Sequence, residues 1–484
     1  MRAVQRRTKI VATMGPATES DAAIDSLIKA GVDVVRLNFS HGTADEHKLR
    51  AENIRRIGLE NNRHLAILAD LQGPKIRLEK FKQGSIELAV GDSFCLDTGC
   101  ADGEGDIHQV GVTYKKLPQD VENDDILMLD DGRIVLQVDA VEGTRINCTV
   151  QVGGELSDNK GINLKGGGLT AEVLTDKDKA DLKIAALIDA DYLAVSFPRN
   201  AADMNQARRL LEEEGSSAGL VAKIERAEAL ENLEEIIQAS DALMIARGDL
   251  GVEIGDANLP AVQKEIIRKA RDFNCVTITA TQMMESMRDN PIPTRAEVFD
   301  VANAVLDGTD AVMLSAETAT GSYPSQTVQA MSDICQNAEQ QSRAIKSRHR
   351  LDDIFEKVDE AIAMASMYTA NHLDVRAIAT LTESGSTSLW MSRISSSIPI
   401  YALSRHESTN RKVNLYRGVF PVFFPTIHTN HAEANREAVE LMKNSGAVED
   451  GDLVIITKGD LMGTGGGTNA MKIVEVGNMP DFIG

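Results

Sequence analysis

The sequence predicts an α/β protein: a closed (β/α)8 TIM barrel with an inserted small β-barrel lid domain and a C-terminal open α/β domain. Three observations lead there. Short β-branched runs alternate with helical patterns, and eight such units can be counted. The runs are apolar nearly throughout, as strands buried on both faces are, instead of alternating with polar residues. The alternation breaks once, in a stretch rich in Gly, Asp and Val with frequent turn signals, and a further α/β pattern follows the eighth unit.

The strand candidates of the first three units are KIVAT (9–13), DVVRL (33–37) and LAILAD (65–70), with helices near 20–30 and 43–61. The break, 73–168, holds the turn signals VGD (90–92), DDG (130–132) and VEG (141–143). Hairpin-like strands RIVLQVDAV (133–141) and RINCTVQVG (145–153) lie among them. The stretch NKGINLKGGGLT (159–170) closes the insert and suits a hinge, because glycine tolerates backbone angles closed to other residues. Five further units resume at DYLAVSF (191–197), LVAKIE (220–225), DALMIA (241–246), CVTITA (275–280) and DAVMLS (310–315). One intervening helix opens near Pro260 and another at Pro324, since proline is tolerated in a helix's first turn. After a helix ending near 345, the basic patch KSRHR (346–350) reads as a linker. A helix near 353–372 and strands VRAIATL (375–381), IPIYAL (398–403), GVFPVFF (418–424) and DLVIITKG (452–459) follow. The expected domains are 1–72 with 169–345, the insert 73–168, and 346–484.

A chain of 484 residues exceeds one core, so two to four domains are expected. Hydrophobic content of 43% and charged content of 26% are those of a soluble globular protein. The net charge of −22 argues against nucleic acid or an anionic membrane as a partner. No apolar run approaches the roughly 20 residues that span a bilayer, and the N-terminus lacks an apolar signal region. Cys95, Cys100, Cys148, Cys275 and Cys335 are scattered without CxxC spacing and read as reduced thiols of a cytoplasmic protein. If the substrate is an anion, basic residues must gather locally to reverse the field.

Lys223 and Glu225 end an apolar run, LVAKIERAEA (220–229), two residues apart. On a strand, a period of two puts both side chains on one face. Two readings are open for this fragment: an ion pair at a strand end, or a metal-binding carboxylate beside a cation for an anionic substrate. Active sites of such barrels form at the C-terminal ends of the strands. Collecting polar residues there gives Arg36, Asn38 and Ser40; Asp70; Lys223 and Glu225; ARGDLG (246–251); Thr279, Thr281 and Gln282; and Ser315 with Glu317. Glu225 and Asp249 on neighbouring strands make a hard oxygen site suited to Mg²⁺ or Mn²⁺. Arg36 and Lys223 supply local positive charge. A hard metal with cations, and no Cys or His nucleophile, points to phosphoryl or enolate chemistry run by electrostatic stabilisation.

RLNFSHG (36–42), ADLQGPKIR (69–77), AKIERAEA (222–229), ARGDLGVEI (246–254), TATQMMESM (279–287) and PTRAEVFDVANAVLDGTDAVMLSAETATGSYP (293–324) resemble the signature segments of the pyruvate kinase family. They occur in family order, and the similarity runs from about residue 7 to the C-terminus, weakening after 345. The resemblance implies transfer of a phosphoryl group from phosphoenolpyruvate to ADP, giving pyruvate and ATP in glycolysis. It implies that Glu225 and Asp249 ligate the divalent metal and that Lys223 faces the transferring group. Arg36 would grip the phosphate, Gly248, Asp249 and Thr281 would position the enolpyruvate, and Arg77 and Lys160 would contact nucleotide phosphates. It also implies a cytoplasmic homotetramer.

The family's monovalent-cation site is matched by Asn38, Ser40, Asp70 and the backbone of Leu71. Potassium-dependent members carry a glutamate at the position of Lys75, and Thr-Lys where this chain has Leu71-Gln72. An ammonium there supplies the charge that K⁺ otherwise provides, and repels K⁺ by about 4 kcal/mol at 4 Å and an effective dielectric of 20. The expectation is activity without K⁺; the alternative is a Lys75 that merely faces solvent on the hinge. In the last domain, TESGSTS (382–388) follows a strand and opens a helix. Thr382, Ser384, Gly385, Ser386 and Thr387 could hold a phosphate there, or form only a capped turn. With the resemblance, a site for a phosphorylated activator (AMP, a sugar monophosphate or fructose 1,6-bisphosphate) is expected, and GDLMGTGGGTN (459–469) would close over it. His41, Trp390 and Met283, Met284 and Met287 read as packing residues, and GGG (166–168) as hinge. A metal-dependent lyase or aldolase and a catalytically silent paralogue are the competing functions. The insert with Arg77 and Lys160 argues against the first, and retention of Lys223, Glu225, Asp249, Arg36 and Thr281 against the second.

Overall fold

The computed structural model describes residues 6–341, 354–425, 430–460 and 467–478. Eight parallel strands close into a barrel in chain order: Lys9–Thr13, Val34–Asn38, Ala66–Asp70, Tyr192–Val195, Gly219–Ile224, Ala242–Ala246, Val276–Ala280 and Ala311–Leu314. Each lies within a residue or two of its predicted run. Six of them, all but the second and fifth, are buried along their whole length, which is why the sequence shows apolar runs instead of alternation. The register is parallel, for example Val11 beside Val34 and Lys223 beside Met244. The five cysteines are free thiols, and no described helix is long and apolar enough to cross a membrane.

The chain divides into two compact units. One comprises residues 1–69, 187–192 and 267–484; the other comprises 70–186 and 193–266. The first contains the C-terminal sheet of five strands, in the order Val419–Phe423, Ile400–Ser404, Val375–Leu381, Leu453–Gly459 and Thr468–Glu475. The sequence reading found the first four. The fifth is an antiparallel edge strand, half of it exposed, and the apolar residues of its run TNAMKIVE neither alternate nor form one block. Within the same unit Lys9, on the first barrel strand, is almost fully buried. Its ammonium donates to the Val419 carbonyl and lies 4.5 Å from the centre of the Phe420 ring. Burial lowers its pKa to about 8. The basic patch 346–350, the boundary at 345 and most of the expected closing loop, 461–466, lie outside the described residues.

The second unit contains the insert. Six strands pair in the order Ile162–Leu164, Ile126–Leu129, Ile134–Glu142, Arg145–Val152, Ser93–Asp97 and Gln109–Gly111, and Ser85–Leu88 pairs separately with Gly154–Ser157. Leu78, Phe94, Leu127, Leu136, Ile146 and Val150 fill its core. The two chain junctions run antiparallel at its base, where Arg77 bridges to Gly161 and the Leu78 amide donates to the Lys160 carbonyl.

Candidate active site

Lys223, near the end of the fifth barrel strand, is the centre of a charge cluster. Its Nζ is 2.9 Å from Glu225 Oε1 and 3.5 Å from Asp70 Oδ1, and donates to Ser196 Oγ at 2.7 Å. The ion-pair reading of Lys223 and Glu225 is therefore realised in this structure, but within a larger set that an isolated pair would not need. Glu225 is 2% exposed and accepts the Phe197 amide at 2.8 Å. Burial pushes its pKa up to about 7; Lys223 opposes the rise, while Asp249 and Asp70 reinforce it. Asp249 lies in the first turn of the helix Arg247–Ile254 and is also shifted upward, chiefly by burial. Lys75 is partly buried and does not simply face solvent. Its pKa falls to about 8, through burial first and then Arg77 and Lys223, against the pull of Asp70 and Asp249.

Ser196 and Phe197 are functional candidates that the sequence reading passed over. Ser196 accepts from Lys223 and donates to the Leu71 carbonyl at 2.8 Å, tying the lysine to the backbone of the cation-site segment. Gly73 packs so closely that a Cβ there would fall 2.6 Å from the Ser196 Cβ. Phe197 has φ of +57°, uncommon outside glycine, and its N–H still reaches Glu225. The rule that polar residues at strand ends carry chemistry would have flagged Ser196, which directly follows the fourth strand. No local signal marks a positive φ at a phenylalanine.

The remaining predicted residues sit as follows. In the first unit, Arg36 lies in the middle of the second strand and donates to Thr13 Oγ1 at 3.0 Å, and Asn38, which ends that strand, accepts the Ser40 amide on Oδ1 at 3.1 Å. Thr281 and Gln282 both have positive φ, +60° and +54°. For a β-branched residue this is a strained conformation, and such strain concentrates at functional sites. The Thr281 hydroxyl donates to the Ala280 carbonyl. Thr279, by contrast, is buried against Thr309, and Glu317 accepts the Ser315 and Met284 amides, so both act in packing. In the second unit, Arg77 is exposed at the base of the insert and Lys160 is paired with Asp130 at 2.8 Å. Glycines 166–168 all have positive φ, and the Gly168 amide is taken by the Glu228 carboxylate. In the C-terminal sheet, Gly385 has φ of +85° and precedes the helix Ser386–Ser392. The Thr382 hydroxyl accepts the Gly385 amide, Ser384 donates to Ser386, and the Thr387 hydroxyl is buried against Thr468.

The donor set fits a hard divalent cation. Two carboxylates, Glu225 and Asp249, are each shifted toward the protonated form, first by burial; Asp249 adds to the rise at Glu225, and Asp131 to that at Asp249. A cation relieves that cost, and oxygen is the donor Mg²⁺ prefers. Among the described residues no three His, Cys, Asp or Glu side chains converge as a preformed metal cage. Mg²⁺ in phosphoryl-transfer sites is commonly held by one or two carboxylates together with substrate phosphates.

Comparison with known proteins agrees with this geometry. Residues 5–328 match the family model for the pyruvate kinase barrel domain, and 360–474 match that for the pyruvate kinase alpha/beta domain. The chain is 57% identical to pyruvate kinase II of Salmonella typhimurium, over 97% of this chain and 99% of that protein. It is 55% identical to a Haemophilus influenzae pyruvate kinase, over 94% and 96%. The crystal structure of a pyruvate kinase from Cryptosporidium parvum superposes with a TM-score of 0.91 at 33% identity, covering 98% of this chain and 96% of that one. The chain belongs to the pyruvate kinase family of phosphotransferases.

Proposed function

We propose that the protein transfers the phosphoryl group of phosphoenolpyruvate to ADP, with Mg²⁺ as its resident metal and without need of K⁺. The observation that supports this best is the Lys223 ammonium, held by Ser196 among Asp70 and Glu225 with Asp249 in electrostatic reach. In the reaction the bond from phosphorus to the enol oxygen breaks and one to the terminal ADP oxygen forms. Charge spreads over the phosphoryl oxygens, and a fixed ammonium stabilises it without reorganising. Ser196 keeps Lys223 aimed, Arg36 grips the phosphate, and Gly248 and Thr281 position the enolpyruvate. Glu225 and Asp249 would hold the metal, which when bound would supply positive charge to phosphate and carboxylate oxygens. The enolpyruvate left behind takes a proton at its methylene carbon and becomes pyruvate.

The segments that carry Arg77 and Lys160 pair through their backbones at the base of the insert, a position suited to nucleotide phosphates and to excluding water when the insert closes. The domain division 1–72 with 169–345, 73–168 and 346–484 follows from this reading. So do an activator site at Thr382–Thr387 for a phosphorylated metabolite, a homotetrameric assembly and a cytoplasmic location. Initial-rate kinetics with each substrate omitted test the whole. Pyruvate release is expected only with phosphoenolpyruvate, ADP and Mg²⁺ together, and a phosphorylated metabolite should shift the phosphoenolpyruvate saturation curve. Release without ADP would point to a lyase instead.

The Lys75 ammonium, electrostatically coupled to Asp70 and Lys223, supports independence from K⁺. Turnover in tetramethylammonium buffer should change little on adding KCl, whereas Lys75→Glu should become severalfold K⁺-stimulated. Strong K⁺ stimulation of the unaltered enzyme would sink the proposal.

A further inference from the structure

The chain enters the insert and returns from it through two crossings, and one buried carboxylate holds both. Asp178, in the first turn of the helix Asp176–Leu187, is fully buried. On the outgoing crossing, the Gly73 amide donates to its Oδ1 at 3.0 Å. On the returning crossing, the Thr175 amide and hydroxyl donate to its Oδ2 at 3.0 and 2.6 Å. The Asp178 amide donates in turn to Thr175 Oγ1 at 3.1 Å. Thr175 and Asp178 by themselves would be an ordinary reciprocal helix cap. That cap occupies one carboxylate oxygen, and the other reaches a glycine 105 positions away. Ile76, beyond Gly73, and Leu169 and Ala171, before Thr175, already belong to the core of the insert. Asp178 therefore grips the chain on both sides of its passage between barrel and insert.

Gly73 in turn bears on the charge cluster. Its φ of +67° favours glycine, and a Cβ there would lie 2.6 Å from the Ser196 Cβ and 3.1 Å from Phe197 Cδ2. Those two neighbours hold the pair on the fifth strand. Ser196 Oγ accepts from Lys223 Nζ, and the Phe197 amide donates to Glu225. Ser196 also donates to the carbonyl of Leu71, two residues before Gly73. The contact between Gly73 and Ser196 leaves no room for even a methyl group. Interiors packed this closely transmit a displacement instead of absorbing it, so a shift of Gly73 moves the serine that aims the lysine.

We propose that Asp178 is a positioning residue for phosphoryl transfer, which fixes Gly73 against Ser196 and thereby aims Lys223. This rests on the reading above that Lys223 faces the transferring group. Misplacement by about 1 Å can cost about 10²-fold in rate. Asp178→Ala is expected to lower kcat by about tenfold or more, with the phosphoenolpyruvate KM within about twofold. Asp178→Asn keeps one acceptor and should fall between that variant and the unaltered enzyme. Thr175→Ala removes the cap hydroxyl but leaves Gly73 its acceptor. It should lower the thermal midpoint yet hold kcat within about twofold. In a Lys223→Met background neither Asp178 substitution should cost anything further, because the group it aims is gone. All rates are taken well below each thermal midpoint, and if Asp178→Ala does not fold, Asp178→Asn carries the same comparisons. Unchanged kcat in the folded Asp178 variants would overturn the proposal. So would an equal loss in Thr175→Ala, or the full loss repeated on top of Lys223→Met. A Lys223→Met enzyme that kept its kcat would overturn the role of Lys223 itself, and this proposal with it.

Discussion

Lys223→Met is expected to lower kcat by about 10³-fold or more, since one preorganised donor to a developing charge contributes 10²–10³-fold and this one is a full cation. Methionine keeps most of the aliphatic bulk and removes only the ammonium. The loss should fall on kcat with a smaller change in the phosphoenolpyruvate KM, because the interaction strengthens as charge spreads over the phosphoryl oxygens. The same substitution leaves Asp70 and Glu225 without the cation that now lies 3.5 and 2.9 Å away. Divalent-metal affinity should therefore be kept or increased, read by titration calorimetry or by Mn²⁺ resonance. If kcat stayed within tenfold of the unaltered enzyme, Lys223 would be the ordinary strand-end ion pair that its fragment also allows.

Glu225→Gln separates the other half of the pair. Glutamine can still accept the Phe197 amide, so the turn after the fourth strand should hold. What goes is the negative charge, and with it one of two protein ligands proposed for the metal. Metal affinity should fall by about 10²-fold or more, above the 10–100-fold typical for losing mere support around a ligand. Activity at low Mg²⁺ should collapse and recover in part at high Mg²⁺. Unchanged metal affinity would remove Glu225 from the metal site. Opposite effects on metal affinity in the two substitutions would distinguish two roles within one contact pair, which neither burial nor distance alone can do.

Much of the architecture was legible because its causes are local. A strand buried on both faces must be apolar throughout, so each of the eight barrel strands is visible as a run, and turn residues mark the insert. The edge strand Thr468–Glu475 was not legible. It is held by pairing with Leu453–Gly459, and its apolar residues are split between a buried Val474 and an exposed Ile473 without a regular period. In the site, Lys223, Glu225, Asp70 and Asp249 could be collected from strand ends and helix starts. Ser196 escaped because a serine after an apolar run is common, and its meaning comes from Lys223, 27 residues away.

The sequence by itself determined the family, the strand inventory and the identity of the charged residues, since these depend on residue type and spacing along one chain. Only the tertiary structure decided which charges meet. Lys223 touches Asp70 across more than 150 positions of sequence, and Lys75 joins that cluster. The physical reason is that an ion pair is set by distance in space and by the dielectric around it. Both are products of how the strands close and pack, and no spacing along the chain encodes either.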